Sequence, residues 1–409
     1  MASGLRAMFS SPALHSRVDE IRGSPIREIA RLIARSQARH EIISLGGGAP
    51  SFPPPPEVLE RWLQMLRQGG LAPFTYGETA GLGELREAFA LDLRQLSGAE
   101  LDADRQVLVT DGSQEALFLA TQVLIEPGDE VIIFDPTYVA YESLVRLAGG
   151  RPVRVALSRE GRYRLPLERL KEAISRRTKL VIYASPDNPT GRMLERREVR
   201  ALAELAKEHG FYLLSDEAYR RIVYEGEHAY LLSEDAGERA LSCFTASKEV
   251  NAPGARIGFL AGPPELIERC EKLKQLVSLM PSLLGQTLAL AFYTWEGREG
   301  YIRDVVLPAY RERRDAMGRA LEEALPEAGF IWPQGAFYFF VDLRRYLAPR
   351  GLGEEALALR ALESEKVALI PGNYFGPGGA GHVRLTFVSE GPERIREAIG
   401  RLRRLLGAS

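Results

Sequence analysis

At 409 residues the chain is too long for one small core and suggests roughly two domains. With 45% hydrophobic and 26% charged residues it has an ordinary globular composition, and a formal net charge of −2 leaves no basic footprint for nucleic acid or an anionic membrane. Two cysteines, Cys243 and Cys270, exclude a disulfide framework and a multi-thiolate metal site, and no run approaches about 18 continuous apolar residues, so no spanning helix is expected.

The first segment, MASGLRAMFSSPALHSR, carries arginines and serines but no acid before Asp19. It reads either as an arm that packs on a partner subunit or as an organellar targeting segment, with a helix-like pattern continuing from Val18 to Arg35. Cytoplasmic location is the default expectation. GGGAPSF follows, then the proline-rich PSFPPPPEV (50–58), which suits a rigid crossing between domains.

From Val107 onward short apolar runs alternate with longer amphipathic stretches. The runs are 107–110, 131–134, 153–155, 180–184, 212–216, 241–247 and 257–262. Helical patterns such as SQEALFLATQVLI, ERREVRALAELAKEHG and ELIERCEKLKQLVSL lie between several of them. Strands apolar on both faces and joined by helices imply an α/β fold, a mostly parallel sheet sandwiched by helices. Ligands of such sheets bind beyond the carboxyl ends of the strands. Near Glu296–Gly300 the rhythm changes to a long helix pattern (Tyr301 to Leu325), then GAFYFFVDL, a helix, VALIPG, VRLTFV and a last helix to Leu406. We therefore expect a large domain over 51–295 and a smaller α+β domain built from 1–50 plus 296–409.

Lysine is scarce, seven residues against forty-six arginines, and Lys248 sits in TASKEVNAPGARIG, eight residues before Arg256. Two more unusual pieces precede it, SPDNPTG (Ser185 to Gly191) and SDEAY (Ser215 to Tyr219). Each feature has a plain alternative. Lys248 alone could be a loop lysine, Asp216 a helix cap, Asn188 a turn residue and Gly112–Ser113 an ordinary helix start. Cys243, in an apolar strand-like run, reads as a buried inert thiol. The five histidines show no metal-ligand spacing, and no GxGxxG follows a strand.

Taken together, SPDNPTG, SDEAY, TASKEVNAPGARIG and HVRLTFV resemble the class I/II aminotransferases, pyridoxal-phosphate enzymes of fold type I, over about Ser44 to Ser389. The resemblance implies that Lys248 forms an imine with the cofactor aldehyde, which needs an amine pKa well below ~10.4. It implies that Asp216 pairs with the pyridine nitrogen so that the ring accepts electrons. Tyr219 and Asn188 then bond the cofactor's phenolic oxygen, and Tyr138 stacks on the ring. Gly112, Ser113 and Gln114 at a helix start, with Thr245 and Arg256, would cradle the phosphate. Tyr76 would reach the phosphate of a neighbouring subunit, implying a homodimer with shared sites. Arg384 would grip the substrate carboxylate with two parallel donors, Gly48 would contact it by its backbone, and Ile26 would line the pocket. Some family branches carry a histidine supporting the ring-pairing acid where Tyr141 stands here; that role is left open.

The implied activity is a ping-pong transamination between an L-amino acid and a 2-oxo acid, with glutamate and 2-oxoglutarate as one reasonable pair. A same-fold lyase of the β-lyase type is an alternative. A regulator with a DNA-binding module is a remote one, since only about 45 residues precede GGGAPSF.

Overall fold

The computed structural model describes residues 17–21 and 41–407. Ile26, the segment 1–16 and most of the helix expected after Val18 fall outside the described residues; Arg17–Glu20 form a single 3-10 turn. Twelve strands are described among these residues. A short β1 (Ile43–Ser44) precedes the central sheet of β2 (Val107–Thr110), β3 (Glu130–Asp135), β4 (Arg151–Ala156), β5 (Thr178–Ala184), β6 (Tyr212–Asp216), β7 (Ala240–Thr245) and β8 (Gly258–Ala261).

The central sheet runs in the order β2-β8-β7-β6-β5-β3-β4. β8 is antiparallel to both neighbours, and every other pairing is parallel. Alternate residues of one strand feed two cores. Ile132 and Phe134 pack with Val199, Leu202 and Ala206 of the helix Arg196–His209, while Val131 and Ile133 pack with Ala116, Leu117 and Ala120 of the helix Ser113–Leu124. This period of two, with both faces covered, is why these runs look continuously apolar in sequence. Each such side chain contributes about 1.5–3 kcal/mol on burial. β4 lies at the sheet edge and carries Arg151, Pro152 and Arg154, residue types that discourage further strand addition. The helix Arg196–His209 starts at a capping box between Glu195 and Glu198 and stops at Gly210 in the left-handed conformation, two local signals that set its length.

Beyond Arg298 a second arrangement begins. β9 (Tyr338–Asp342), β11 (Ile370–Pro371) and β12 (His382–Thr386) form an antiparallel sheet in the order β11-β12-β9, and β10 (Val367–Ala368) pairs in parallel with β1. Their core joins Leu45, Tyr310, Leu321, Phe339, Leu385 and Ile399. The helix expected from Tyr301 to Leu325 is interrupted: Ile302–Val306 form a π-helical turn before the α-helix Leu307–Ala324. Pro308 explains the break, because its ring nitrogen has no hydrogen to offer the preceding turn. The proline-rich stretch ends in a helix, Pro56–Gly69, that opens on a proline, where a missing N–H is harmless. Among the described residues no helix is long and apolar enough to cross a membrane.

Candidate active site at the carboxyl ends of the strands

β7 ends at Thr245, whose hydroxyl accepts from the Ser247 N–H at 3.1 Å and so caps the helical turn Ala246–Glu249. The turn projects Lys248 into a cleft. Its Nζ donates to the Gly48 carbonyl at 2.7 Å and lies 5.8 Å from the Tyr219 ring centre and 5.7 Å from that of Phe337. Burial, helped by the positive charges of Arg384 and Arg256 and opposed by Asp216, lowers the amine's pKa to about 8. A substantial neutral fraction is therefore present near neutral pH, as a nucleophile or proton acceptor requires.

Asp216 ends β6, the next strand over, and is buried. Its Oδ2 accepts from the Tyr141 hydroxyl at 2.8 Å, its Oδ1 accepts from the Ala218 N–H at 3.2 Å, and the Cys243 thiol also bonds it. Burial outweighs these donors and raises the carboxyl's pKa to about 6. Tyr141, whose role the sequence leaves open, is a buried phenol hydrogen-bonded to this acid. The Ala218 contact shows that Asp216 also steadies its own turn. Cys243 is buried and its thiol is pushed well above the ordinary range, mainly by burial, which makes it inert. Tyr138 meets Tyr141 edge to face at 5.5 Å, and its hydroxyl donates to Gln114 Oε1 at 3.2 Å.

β2 leads through Asp111 and Gly112 into the N-terminus of Ser113–Leu124. Gly112 has φ +81°, and a Cβ there would overlap the Arg256 guanidinium. Arg256, itself at φ +56°, donates to the Pro253 carbonyl at 3.0 Å and to the Asp111 carbonyl at 2.9 Å. A Cβ on Gly258 would come within 2.6 Å of the Ser113 nitrogen. The missing side chain of Gly112 thus lets a guanidinium close over the helix start, and that of Gly258 lets β8 pack against it, a combination of fixed charge and free N–H groups that suits an anion.

On the opposite wall Arg384, in β12 and 1% exposed, donates from Nη1 to Asn188 Oδ1 at 2.9 Å and from Nη2 to the Gly46 carbonyl at 2.8 Å. Its Nε is buried without a partner among the described residues. The guanidinium lies 4.3 Å from the Tyr338 ring centre and 5.0 Å from that of Phe375. Tyr338 is the site residue that sequence reasoning missed. Its hydroxyl is 2.6 Å from that of Tyr219, and a Cβ on Gly48 would collide with it. The available signal was its place in GAFYFFVDL, opposite Thr386 of β12.

Lys248 thus contacts Gly48 and Tyr219 and feels the charges of Asp216, Arg256 and Arg384, Arg384 holds Asn188, and Gly112, Ser113, Gln114, Tyr138 and Thr245 lie at the sheet end. Tyr76 does not join them within one chain; it stands 85% exposed.

The family described as aminotransferase class I and II matches residues 40–402. The chain belongs to this family. It is an aminotransferase. It is 36% identical over 369 residues to an aspartate/prephenate aminotransferase of Thermus thermophilus, covering 90% of this chain and 91% of that protein. It is 34% identical over 375 residues to an arginine–pyruvate transaminase of Pseudomonas aeruginosa, covering 91% of this aminotransferase and 92% of the relative. The solved aspartate aminotransferase of Thermus thermophilus with maleate superposes with a TM-score of 0.87 at 34% identity, covering 95% of this chain and 98% of that one. Relatives named for such different donors share this scaffold, so the frame of the site and the choice of donor are separable properties.

Proposed function

We propose that this aminotransferase binds pyridoxal 5'-phosphate in the cleft and moves an amino group between an L-amino acid and a 2-oxo acid by a ping-pong route. Glutamate and 2-oxoglutarate are proposed as one pair. The observation that carries the reading is Lys248: an amine lowered to about 8, held against Gly48 and set between a buried acid and a buried guanidinium. The residues fit the cofactor on three counts. Gly112 lets Arg256 stand over a helix start that suits an anion, Asp216 offers a buried carboxyl to a ring nitrogen, and the Lys248 amine lies beside the Tyr219 ring in the same site.

In this reading Gly112, Ser113, Gln114, Thr245 and Arg256 would hold the phosphate, Tyr138 would cover the ring, and Asn188 and Tyr219 would bond the phenolic oxygen. When bound, the pyridoxal ring supplies an electron sink for the carbanion left by Cα–H cleavage. Arg384 clamps the substrate carboxylate with its planar fork, and Asn188 holds that fork in place. Neutral Lys248 takes the Cα proton on Nζ and releases it within the cleft. Gly48, whose carbonyl holds Lys248, is proposed to meet the same carboxylate with its backbone. Ile26 is proposed to line the side-chain pocket.

We further propose a cytoplasmic homodimer, with residues 51–295 as the cofactor-binding domain and 1–50 plus 296–409 as the smaller one. Support for pairing comes from Leu71 (80% exposed), Phe74 (67%), Tyr76 (85%) and Leu276 (86%), apolar side chains in two segments joined where the Gly77 N–H meets Met280 Sδ at 2.7 Å. Tyr76 would complete the partner's phosphate site.

Mixing loaded protein with an amino donor alone tests the reaction class. A transaminase stops after one half-reaction per site, whereas sustained ammonia release would replace this reading with a lyase. A donor panel against 2-oxoglutarate and pyruvate then fixes the pair; no transfer to 2-oxoglutarate would refute the proposed pair.

A further inference from the structure

Behind the cleft, and outside the set of residues assigned above, lies a buried cluster of charge. Asp92 of the helix Gly83–Ser97, Arg220, Arg221, Glu249 and Arg298 are all buried. Arg220 reaches Glu249 through Nε at 2.7 Å and Nη2 at 3.1 Å, and Asp92 through Nη2 at 2.7 Å. Arg221 bonds Asp92 and lies 3.4 Å from Glu249. Arg298 forms an ion pair with Asp92 at 2.8 Å, and the Tyr293 hydroxyl donates to Glu249 at 3.0 Å. Half-exposed Glu299, 2.9 Å from Arg221, brings the count of acids to that of guanidinium groups. The Arg220 guanidinium also lies 5.1 Å from the Phe89 ring centre and 5.3 Å from that of Phe244.

Such a cluster is a poor device for stability alone, because desolvating the charges consumes most of what their attraction returns. Its sequence positions suggest what it does instead. Arg220 follows Tyr219 directly, and Glu249 follows Lys248 directly. The forked Arg220–Glu249 pair therefore joins the backbone of the phenol to the backbone of the amine. Asp92 ties that joint to a long helix, and Arg298 ties it to the start of the helical run leading to β9.

We propose that the Asp92–Arg220–Glu249 frame is a positioning device that sets where Lys248 Nζ stands relative to Tyr219. The proposal rests on the functional reading above. Arg220 is required as arginine: the planar fork engages two carboxylates and two ring faces at once, which an ammonium cannot do. None of the three residues touches the substrate or the cofactor.

The test uses protein with and without cofactor and three variants: Arg220→Met/Glu249→Met, which removes both charges at similar volume, Asp92→Asn, which keeps the shape and removes one, and Arg220→Lys. Three quantities are read: kcat and KM separately, the pH midpoint of the visible band of lysine-bound cofactor, and the pH midpoint of Lys248 modification in cofactor-free protein. Loss of placement is expected to lower kcat by roughly tenfold to a hundredfold, leave KM within about a factor of two, and move both midpoints. Arg220→Lys keeps the charge and is expected not to restore kcat. Folded variants with the parent's kcat and both parent midpoints, differing only in melting temperature, would overturn the frame as a positioning device. A parent protein that shows no visible band would instead fail the cofactor reading on which the frame depends.

Discussion

Asp216→Asn in the cofactor-free protein separates what the site does from what the fold prefers. Burial raises the Asp216 carboxyl from 3.8 to about 6. Two units correspond to about 3 kcal/mol against the ionised form. The sign follows from linkage: a folded-state pKa above the unfolded one adds stability below about pH 4, and that stability is lost as pH rises through about 6. Above pH 6 the parent carries a buried anion held by Tyr141, the Ala218 N–H and the Cys243 thiol. Asparagine removes the charge and keeps one acceptor oxygen, but its NH2 must face one of those donors, at a cost of about 1 kcal/mol. The variant should therefore be more stable than the parent by about 2 kcal/mol at pH 8. The gap should narrow by roughly 1–1.5 kcal/mol at pH 5. Urea unfolding of both proteins across this range measures it. Turnover of the loaded variant should fall by at least about a hundredfold, since a neutral amide cannot match a carboxylate opposite a ring nitrogen. Parallel stability curves for parent and variant would refute the argument that this acid is kept at the expense of the fold.

Three further outcomes follow from the same geometry. Arg384→Leu removes one of the two positive charges that lower Lys248, so the pH midpoint of Lys248 modification should rise above about 8; an unchanged midpoint would remove Arg384 from its electrostatics. Gly112→Ala places a side chain at φ +81° against Arg256, and equilibrium dialysis should show cofactor affinity reduced by about tenfold or more, with the apoprotein still folded. Phe74→Asp puts a charge in the exposed apolar strip; sedimentation should show a shift from dimer toward monomer, and a dimer of undiminished stability would place the interface elsewhere.

Much of the fold was legible because its signals are local. The seven runs from Val107 to Gly262 matched strands to within about two residues, since apolar β-rich stretches between amphipathic helices permit little else. The π-helical turn Ile302–Val306 was not legible, although Pro308 is its cause: a proline near a helix start allows several local solutions, and packing selects among them. The site shows the same division. Asp216, Lys248 and Arg256 sit in recognisable turns, whereas Tyr141, Tyr338 and the Asp92–Arg220 pair act across separations of 75, 119 and 128 residues. No periodicity reports a hydrogen bond between distant strands.

By itself the sequence determined which segments become strands and helices, and which strand ends carry an acid, an amine and a glycine-led helix start. Only the tertiary structure decided what those groups experience. Lys248 is lowered and Asp216 raised because folding withdraws both from water; the charges of Arg384 and Arg256 add to the first shift, while the Tyr141 hydroxyl opposes the second. Solvation and charge proximity are properties of assembled space, and a linear chain holds no record of either.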